Sequence, residues 1–315
     1  MRKVVVIGTG TMGAGIAAGF VAAGIDVVLL GRSAEKAGAA RPEVDAIVAS
    51  LGAAGDGAGR GRVIGGAIYE WNEWEGVGWV IETVSENLDL KREVFAWLDR
   101  AVPPGVPIGS NSSGFPISKI AAGLRTADRM FNAHYFMPAH LVPLVEIVLG
   151  EKSDPALAEK VCDLYRRLGK KPVLVRRDIP GFLANRIQHA LMREALSLVQ
   201  EGIATPDDID LAVRYSFGFR YAAVGPMTQK EISGWQGMAA AAVEIYPSLS
   251  NVAEPPECIM SLVRAGKTGI KAGEGFRKWT PDEAAATVRD YELRLKAAFG
   301  ILDMVASDDK GDASR

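Results

Sequence analysis

The amino-acid sequence predicts an α/β fold, with a doubly wound parallel sheet over residues 1–179 and an all-α C-terminal domain over residues 180–306. Short apolar runs alternate with helical stretches over the first 180 residues. This alternation is typical of a parallel sheet that is covered by helices on both faces. Beyond it, helical periodicity continues with almost no strand signal, and the polar residues 307–315 are predicted to form a disordered tail.

Seven apolar runs are the predicted strands of the N-terminal domain. Several lack polar alternation, as expected of strands that are buried on both faces. They cover residues 4–7, 27–30, 63–64, 79–82, 107–109, 130–135 and 172–175. In the C-terminal domain, helices are predicted over residues 183–201, 225–245, 257–265 and 281–305. A further helix is predicted to begin after an N-cap at Thr205. The Ala/Gly-rich stretch 52–61 is predicted to be a loop.

The composition limits the classes of function. The chain carries 36 basic and 38 acidic side chains, so it lacks the positive charge that a nucleic-acid partner would require.

The cysteine content and the hydropathy of the chain bear on metals, disulfides and membranes. The two cysteines, Cys162 and Cys258, have no metal-ligand spacing, and neither a disulfide nor a metal site is expected. No window approaches the ~18 apolar residues of a membrane helix. We therefore expect a cytoplasmic protein without a membrane partner.

A glycine-rich segment, Gly-Thr-Gly-Thr-Met-Gly at 8–13, directly follows the first predicted strand and opens a helix. The second strand then completes a β-α-β unit of the size that binds dinucleotides. The glycines permit a tight turn and let the backbone approach a pyrophosphate at the helix N-terminus. The predicted fold is thus of the Rossmann type, and the predicted cofactor contacts are Gly8, Gly10, Thr11, Met12 and Gly13. The alternative is a turn that only requires small residues.

The end of the second strand bears on the choice of dinucleotide. An acidic residue there binds the adenosine ribose of NAD, whereas an arginine accommodates the extra phosphate of NADP. This chain has Gly31, Arg32 and Ser33 at that point, and its next acid is Glu35. Arg32 and Ser33 offer a guanidinium and a hydroxyl group to a phosphate. We therefore expect NADP(H) to be favoured and NAD(H) to be the alternative. The structural alternative for Arg32 is a surface arginine at the end of a strand.

One histidine lies where an open α/β sheet binds its ligands. The chain has three histidines, and His134 stands at the end of a predicted strand. An imidazole titrates near neutrality, as a general acid/base must. Glu146 lies in an apolar run, where a carboxylate without a partner is costly. We predict that Glu146 pairs with His134; the alternative is a buried structural histidine and a glutamate at a sheet edge.

At these residues the sequence resembles the 3-hydroxyacyl-CoA dehydrogenase family over most of its length. Each motif is modest, but their order and spacing together are specific. The motifs are Gly8–Gly13, Glu86-Asn87 with Lys91, Ser110–Ser113, His134–Pro138, Glu146, Pro180–Phe182 with Asn185-Arg186, and Lys271–Phe276.

The resemblance implies roles for several side chains. It makes His134 the general acid/base and Glu146 its orienting partner, and it implies that Ser113 and Asn185 hydrogen-bond the reacting oxygen. It also assigns Glu86 and Lys91 to the cofactor site and implies a homodimer formed through the C-terminal domain. Structural alternatives stay open: a turn residue at 113, a helix cap at 185, and a cap for the following helix at 86–87.

Two departures separate the chain from the acyl-CoA enzymes. Met137 stands where those enzymes usually have an asparagine, and it cannot donate a hydrogen bond. The segment between Arg32 and Val63 is shorter than the helical arm that clasps CoA. It has few cations for the phosphates of CoA, namely Lys36, Arg41, Arg60 and Arg62.

Residues 216–226 instead resemble the non-CoA branch of the family, which includes lambda-crystallin (L-gulonate 3-dehydrogenase), carnitine dehydrogenases and a pyridine-carboxylate dehydrogenase. In that branch Arg220 and Tyr221, with Met137, are candidates for binding a small carboxylate. The two residues are predicted to lie on a loop before Gly225. The structural alternative is that Arg220 pairs with an acid at a helix interface.

Three hypotheses follow for function. The leading one is an NAD(P)-dependent oxidoreductase acting on the CH–OH group of a small polar hydroxy acid. The second is a 3-hydroxyacyl-CoA dehydrogenase with a reduced CoA site. The third is a non-catalytic, crystallin-like dinucleotide-binding protein, which the intact His134, Glu146, Ser113 and Asn185 disfavour.

Overall fold

The computed structural model of the chain describes residues 2–51 and 60–308. Most of the predicted loop 52–61 and residues 309–315 of the predicted tail lie outside the described residues. Contacts divide the chain into two compact units, Met1–Arg186 and Ile187–Arg315. The division falls three residues inside a helix that begins at Ala184. No helix of the described part is long and apolar enough to cross a membrane.

The first unit contains an eight-stranded sheet with the strand order β3-β2-β1-β4-β5-β6-β7-β8. All neighbouring strands are parallel except the antiparallel pair β6 and β7. The strands are β1 (Lys3–Ile7), β2 (Asp26–Gly31), β3 (Val63–Ala67), β4 (Val77–Glu82), β5 (Ile108–Ser110), β6 (Met130–Tyr135), β7 (Leu144–Leu149) and β8 (Lys171–Val175). The predicted fold class is thereby confirmed, and each of the seven predicted runs overlaps one of these strands.

The eighth strand, β7, is not among the predicted ones. Its residues form the apolar run around Glu146, which is too short to be distinguished from a helix segment by periodicity alone. β7 runs antiparallel to β6 because the connection between them, from Phe136 to Pro143, is too short to contain a crossover helix. This tight connection places the strand that carries Glu146 beside the strand that carries His134.

Helices cover both faces of the sheet. They are α1 (Thr11–Ala22), α2 (Ala34–Ser50), α3 (Leu88–Ala101), the short α4 (Ile117–Ile120) and α5 (Pro155–Arg167). Alternate residues of β1 point to opposite faces: Val4 and Val6 pack in the core on the side of α1, α2 and α5, whereas Val5 and Ile7 pack in the core on the side of α3. Both cores leave the carboxyl edge of the sheet available to polar side chains.

The second unit is helical. It comprises the remainder of α6 (Ala184–Gln200), then α7 (Pro206–Tyr215), α8 (Phe217–Ala223), α9 (Pro226–Ser233), α10 (Trp235–Ile245), α11 (Glu257–Arg264) and α12 (Pro281–Asp308). Thr205 caps α7 as predicted, in a reciprocal capping box with Asp208. Residues 307–308 of the predicted tail are the last residues of α12.

Two predictions for this unit are wrong. The single helix predicted over 225–245 is two helices, because Gly234 adopts φ 85° and ends α9 before α10 begins. Arg220 and Tyr221 lie on α8 and not on a loop. The seven-residue α8 directly follows α7 with only Ser216 between them, so sequence periodicity gives little signal for it.

Candidate functional site

The register of β6 and β7 brings the predicted acid/base pair together. His134 lies directly opposite Glu146 across the antiparallel pair. Directly opposed residues project to the same face of a sheet, so their side chains meet. The imidazole Nδ1 lies 2.8 Å from Glu146 Oε2, and both side chains are buried. The pairing predicted from the apolar run is therefore present in the structure.

The other oxygen of Glu146 binds backbone amides. Glu146 Oε1 accepts hydrogen bonds from the N–H of Leu183 at 3.2 Å and of Ala184 at 2.7 Å. Leu183 precedes α6 and Ala184 is its first residue, and N–H groups at this end of a helix have no partner within it. The positive end of the helix dipole therefore faces a fully buried carboxylate. These contacts replace the hydration that the carboxylate of Glu146 loses when the apolar strand buries it.

The chain turns sharply to reach that position. Gly181 adopts φ 76° and Phe182 adopts φ 48°, the left-handed region in which a bulky side chain is uncommon. Phe182 is buried, and its ring lies edge-to-face against His134 at a centroid distance of 5.4 Å. Phe136 packs against the imidazole at 4.6 Å. The histidine ring is thus held by two aromatic rings as well as by Glu146.

Ser113 completes a hydrogen-bonded series. Its Oγ lies 3.1 Å from His134 Nε2. Because the carboxylate of Glu146 can only accept, Nδ1 carries a proton in the neutral imidazole and Nε2 is the unprotonated nitrogen. Nε2 therefore accepts the hydroxyl proton of Ser113 in a hydrogen bond. A substrate hydroxyl at the same nitrogen would meet a proton acceptor.

Two other predicted site residues are Asn185 and Met137. Asn185 lies in the first turn of α6, next to Ala184. The amides at the start of that helix bind Glu146, so the capping role considered for Asn185 belongs to the glutamate. Met137 follows β6 and is 64% exposed. Arg220 and Tyr221 belong to the helical unit, where Tyr221 packs on Phe217 at 5.7 Å.

The glycine segment after β1 has the geometry of a pyrophosphate cradle. Gly8 has φ 116°, and a Cβ there would lie 2.5 Å from Thr83 Oγ1. A Cβ on Gly13 would lie 2.0 Å from the carbonyl oxygen of Gly8, whereas one on Gly10 would meet open space. The first turn of α1, with Thr11 and Met12, has neither a side-chain cap nor an acidic residue. Its amides are therefore available to an anion, which fits a bound dinucleotide.

β2 ends at Gly31, a residue without a carboxylate that could bind the ribose of NAD. Gly31 is buried, and a Cβ there would lie 3.1 Å from the backbone nitrogen of Ala37 and from Thr9 Cγ2. Arg32 is exposed, and Ser33 is the N-cap of α2, with Oγ accepting from the N–H of Lys36 at 3.2 Å. The Ser33 hydroxyl hydrogen is still available to another acceptor.

A second buried carboxylate, Glu82, is not among the predicted residues. It ends β4 and forms an ion pair with Lys91 of α3, with Lys91 Nζ 2.8 Å from Glu82 Oε1. Burial raises the pKa of Glu82, although Lys91 and Ser110 act in the opposite direction. Partial burial also opposes the ionisation of Glu86, but hydrogen bonds from Ser112 and Gly114 and the charge of Lys91 hold its pKa below the ordinary value.

Glu86 and Lys91, which were both predicted at the cofactor site, differ in their exposure to solvent. Glu86 is half-exposed, while the Lys91 side chain is 1% exposed and directed at carboxylates. The capping role considered for this segment belongs to Asn87, whose Oδ1 accepts from the N–H of Leu90 at 2.9 Å. Among the described residues, no group of three or more histidine, cysteine or acidic side chains is placed to hold a metal ion.

Two family models match the chain. One, described as the 3-hydroxyacyl-CoA dehydrogenase NAD-binding domain, matches residues 3–179. The other, described as the 3-hydroxyacyl-CoA dehydrogenase C-terminal domain, matches residues 181–279.

Similar proteins include small-molecule dehydrogenases. The chain is 33% identical over 311 residues to 5-formyl-3-hydroxy-2-methylpyridine 4-carboxylate 5-dehydrogenase of Mesorhizobium japonicum, covering 96% of this chain and 99% of the relative. It is 35% identical over 280 residues to L-carnitine dehydrogenase of Streptomyces griseus, covering 86% and 82%. A solved structure of a 5-formyl-3-hydroxy-2-methylpyridine 4-carboxylic acid 5-dehydrogenase, an NAD+-dependent dismutase, has a TM-score of 0.86 at 30% identity, covering 97% and 99%.

The double role of Glu146 predicts different stabilities for two variants. Glu146→Gln keeps an oxygen for the amides of Leu183 and Ala184, whereas Glu146→Ala leaves these buried donors unpaired. We expect a loss in the free energy of unfolding of about 3–5 kcal/mol for Glu146→Ala and of less than about 2 kcal/mol for Glu146→Gln. Denaturant unfolding of both variants and the parent measures this difference. Equal losses in the two variants would show that the amide contacts contribute nothing.

Proposed function

Because this chain belongs to the 3-hydroxyacyl-CoA dehydrogenase family, we propose that it transfers a hydride between a nicotinamide cofactor and the secondary alcohol or ketone of a small polar hydroxy acid. The observation that carries the proposal is the hydrogen-bonded series of Ser113, His134 and Glu146 at the carboxyl end of β6. Open α/β sheets bind their ligands at this edge. An unprotonated imidazole nitrogen there is suited to take a hydroxyl proton near neutral pH.

In the direction of oxidation, His134 Nε2 takes the proton of the substrate hydroxyl, and Glu146 stabilises the imidazolium that forms. Ser113 and Asn185 hydrogen-bond the reacting oxygen. A hydroxyl and an amide can follow an alcohol that becomes a ketone without changing their own protonation. The cofactor, when bound, supplies the hydride acceptor. In reduction His134 returns the proton to the oxygen.

The contacts of the N-terminal unit favour a small acid over a CoA thioester. Among the cations between residues 32 and 63, Arg41 pairs with Asp45 at 3.7 Å and Arg62 pairs with Asp26 at 2.9 Å. Pairing lowers their availability to the phosphates of CoA. Two of the relatives are named for carnitine and a pyridine carboxylate, both small carboxylates. Arg220, Tyr221 and Met137 are our candidates for binding this part of the substrate.

Substitution of the histidine tests the chemistry. We expect His134→Asn to lower turnover by ~10²–10⁴, the usual contribution of a positioned acid/base, while cofactor binding is nearly unchanged. Turnover is measured with a panel of small hydroxy acids that includes carnitine, and with acetoacetyl-CoA. His189→Asn, at an exposed position of α6, is the matched control.

The panel also decides between the hypotheses. Activity on hydroxy acids without activity on acetoacetyl-CoA supports the proposal, and the reverse result supports the acyl-CoA alternative. Absence of turnover with every substrate and both cofactors would favour the non-catalytic alternative. Turnover of His134→Asn within a few-fold of the parent would contradict the assigned role of the histidine.

For the cofactor, our proposal is a preference for NADP(H). The absence of a carboxylate at Gly31, the exposed guanidinium of Arg32 and the Ser33 hydroxyl at the N-terminus of α2 together suit a phosphate on the adenosine ribose. NAD(H) is the competing cofactor, because the solved structure named above belongs to an NAD+-dependent enzyme.

A charge reversal tests this preference. Arg32→Asp should weaken NADPH binding by ~1.5–3 kcal/mol, the value of one charge-assisted contact, and should affect NADH binding much less. Titration of the fluorescence of each reduced cofactor measures both dissociation constants. Arg41→Asp makes the same change of charge farther along α2 and is the control. Equal catalytic efficiency of the parent with both cofactors would refute the preference.

For the assembly, our proposal is a homodimer formed through the helical unit. From Ile187 to the last residue with a described side chain, 302, no side chain is buried. Large apolar side chains of α6 are exposed, among them Ile187, Leu191 and Met192. An apolar cavity of about 390 Å³ lies between α6, α7 and the segment 269–279. Exposed apolar surface of this extent is usually covered by a partner, and closed twofold dimers are the commonest solution.

Light scattering coupled to size-exclusion chromatography tests the assembly. We expect a mass of twice 33.5 kDa at working concentration. Leu191→Asp and Met192→Asp should shift the population towards monomer, because a charge on the buried face of an interface is costly. Ser261→Asp, on α11, is a control for the added charge. A monomeric parent protein would refute the homodimer.

A further inference from the structure

The turn that leads into α6 is a strained part of the site. Gly181 adopts φ 76° and Phe182 adopts φ 48°. A bulky residue in the left-handed region persists where its surroundings hold it there. The Phe182 side chain is buried, and its ring lies edge-to-face against the imidazole of His134 at a centroid distance of 5.4 Å. The contacts on either side of this turn therefore decide where the ring lies.

The C-terminal side of the turn is held by Glu146, which accepts hydrogen bonds from the N–H groups of Leu183 and Ala184. Within the turn, the N–H of Phe182 donates to the carbonyl oxygen of Ile179 at 2.9 Å. This bond sets the shape of the turn but not its place on the sheet. The chain forms no strand or helix between β8 and α6, so the N-terminal side of the turn depends on an anchor of its own.

Asp178, four residues before Phe182, makes such an anchor. Its Oδ2 accepts a hydrogen bond from the N–H of Ser118 at 2.8 Å. Ser118 is the second residue of α4, and N–H groups in the first turn of a helix have no partner within it. No side chain of the N-cap residue, Pro116, binds these groups. The carboxylate therefore joins the chain before the turn to a donor that α4 leaves open.

The short helix α4 is itself fixed to β6 and β7. The N–H of Ile117 donates to Asn132 Oδ1 at 2.7 Å. Asn132 lies on β6 two residues before His134, so the two side chains project to the same face of the sheet. Ser118 Oγ accepts from the N–H of Glu151 at 2.8 Å, two residues after the end of β7. The bond to Ser118 thus attaches the turn, through α4, to the strand pair that carries the imidazole.

We infer that Asp178 is a positioning residue that holds the ring of Phe182 against the imidazole of His134. It acts through the start of α4, and it likewise places the N–H groups that bind Glu146. The attachment is a hydrogen bond to a backbone amide, so it depends on an acceptor oxygen more than on a negative charge. Its meaning for catalysis rests on the proposed function, in which the imidazole is the acid/base.

The imidazole itself reports the position of the ring. An aromatic ring shifts the proton resonances of the groups that it contacts, so the Hδ2 and Hε1 resonances of His134 depend on where Phe182 lies. Labelling with ¹³C-histidine resolves these signals, because the protein has three histidines, and His134→Asn assigns them. Phe182→Leu supplies the reference for an imidazole without the ring.

In the apo protein, we expect Asp178→Ala to move the His134 resonances towards those of Phe182→Leu. Asp178→Asn should leave them at the values of the parent, because an amide oxygen still accepts from the N–H of Ser118. A loss of stability alone does not produce this pattern, since the resonances are those of the folded protein.

Turnover is the second readout, measured with the most active substrate of the panel described above. We expect Asp178→Ala to lower it by about 10–100-fold, since a displacement of about 1 Å can have an effect of this size. Asp178→Asn should stay within about threefold of the parent, because the acceptor is kept. Asp154→Ala is the matched control: Asp154 accepts from the N–H of Ala156 at 2.8 Å at the start of α5, and its loss should change neither readout.

The two readouts separate this inference from the proposed function. If the parent is inactive on every substrate but the His134 resonances move in Asp178→Ala, the proposed function fails and the positioning role stands. Unchanged His134 resonances in Asp178→Ala would overturn the positioning role, whatever its turnover. Equal displacements in Asp178→Ala and Asp178→Asn would also overturn it, because the bond to Ser118 would then not be the cause.

A further variant keeps the test decisive if Asp178→Ala does not fold. Asp178→Ser keeps a polar side chain at this partly buried position, but its hydroxyl is too short to replace the carboxylate at the N–H of Ser118. It is then measured in place of Asp178→Ala, with the same expected displacement of the His134 resonances and the same contradicting results.

Discussion

The antiparallel pairing of β6 with β7 is the constraint on which the site depends. In an otherwise parallel sheet, this antiparallel pair sets His134 directly opposite Glu146. The same carboxylate accepts hydrogen bonds from the N–H groups of Leu183 and Ala184, where α6 begins. The imidazole is consequently oriented before any ligand arrives, as efficient proton transfer requires.

Two buried carboxylates at the carboxyl edge of the sheet follow one principle. A buried charge persists when hydrogen bonds or an opposite charge replace its lost hydration. Glu146 meets this condition with backbone amides and an imidazole, and Glu82 meets it with Lys91, Ser110 and the N–H of Val84. Glu146 binds the imidazole of His134, and Glu82 accepts a hydrogen bond from the hydroxyl of Ser110.

Much of this was accessible from sequence, because the informative signals were local. The glycine segment, the parallel strands and the family resemblance are confirmed, and Glu146 was noticed because a carboxylate in an apolar run needs a partner. The same reasoning applied to the last residue of β4 would have found Glu82. Other features depend on tertiary placement: the antiparallel direction of β7, the enclosure of Lys91 and the separate helix α8 come from contacts between segments that periodicity does not encode.

The position of one proton tests the central claim, which is that Glu146 makes His134 Nε2 a proton acceptor. The protein has only three imidazoles, so ¹⁵N-histidine labelling resolves His134 in the parent and in Glu146→Gln. At neutral pH the account predicts the proton on Nδ1 in the parent. It predicts the proton on Nε2 in the variant, because the glutamine oxygen faces the amides of α6 and its NH₂ group faces Nδ1. A parent imidazole protonated on Nε2, or the same tautomer in both proteins, would contradict the account.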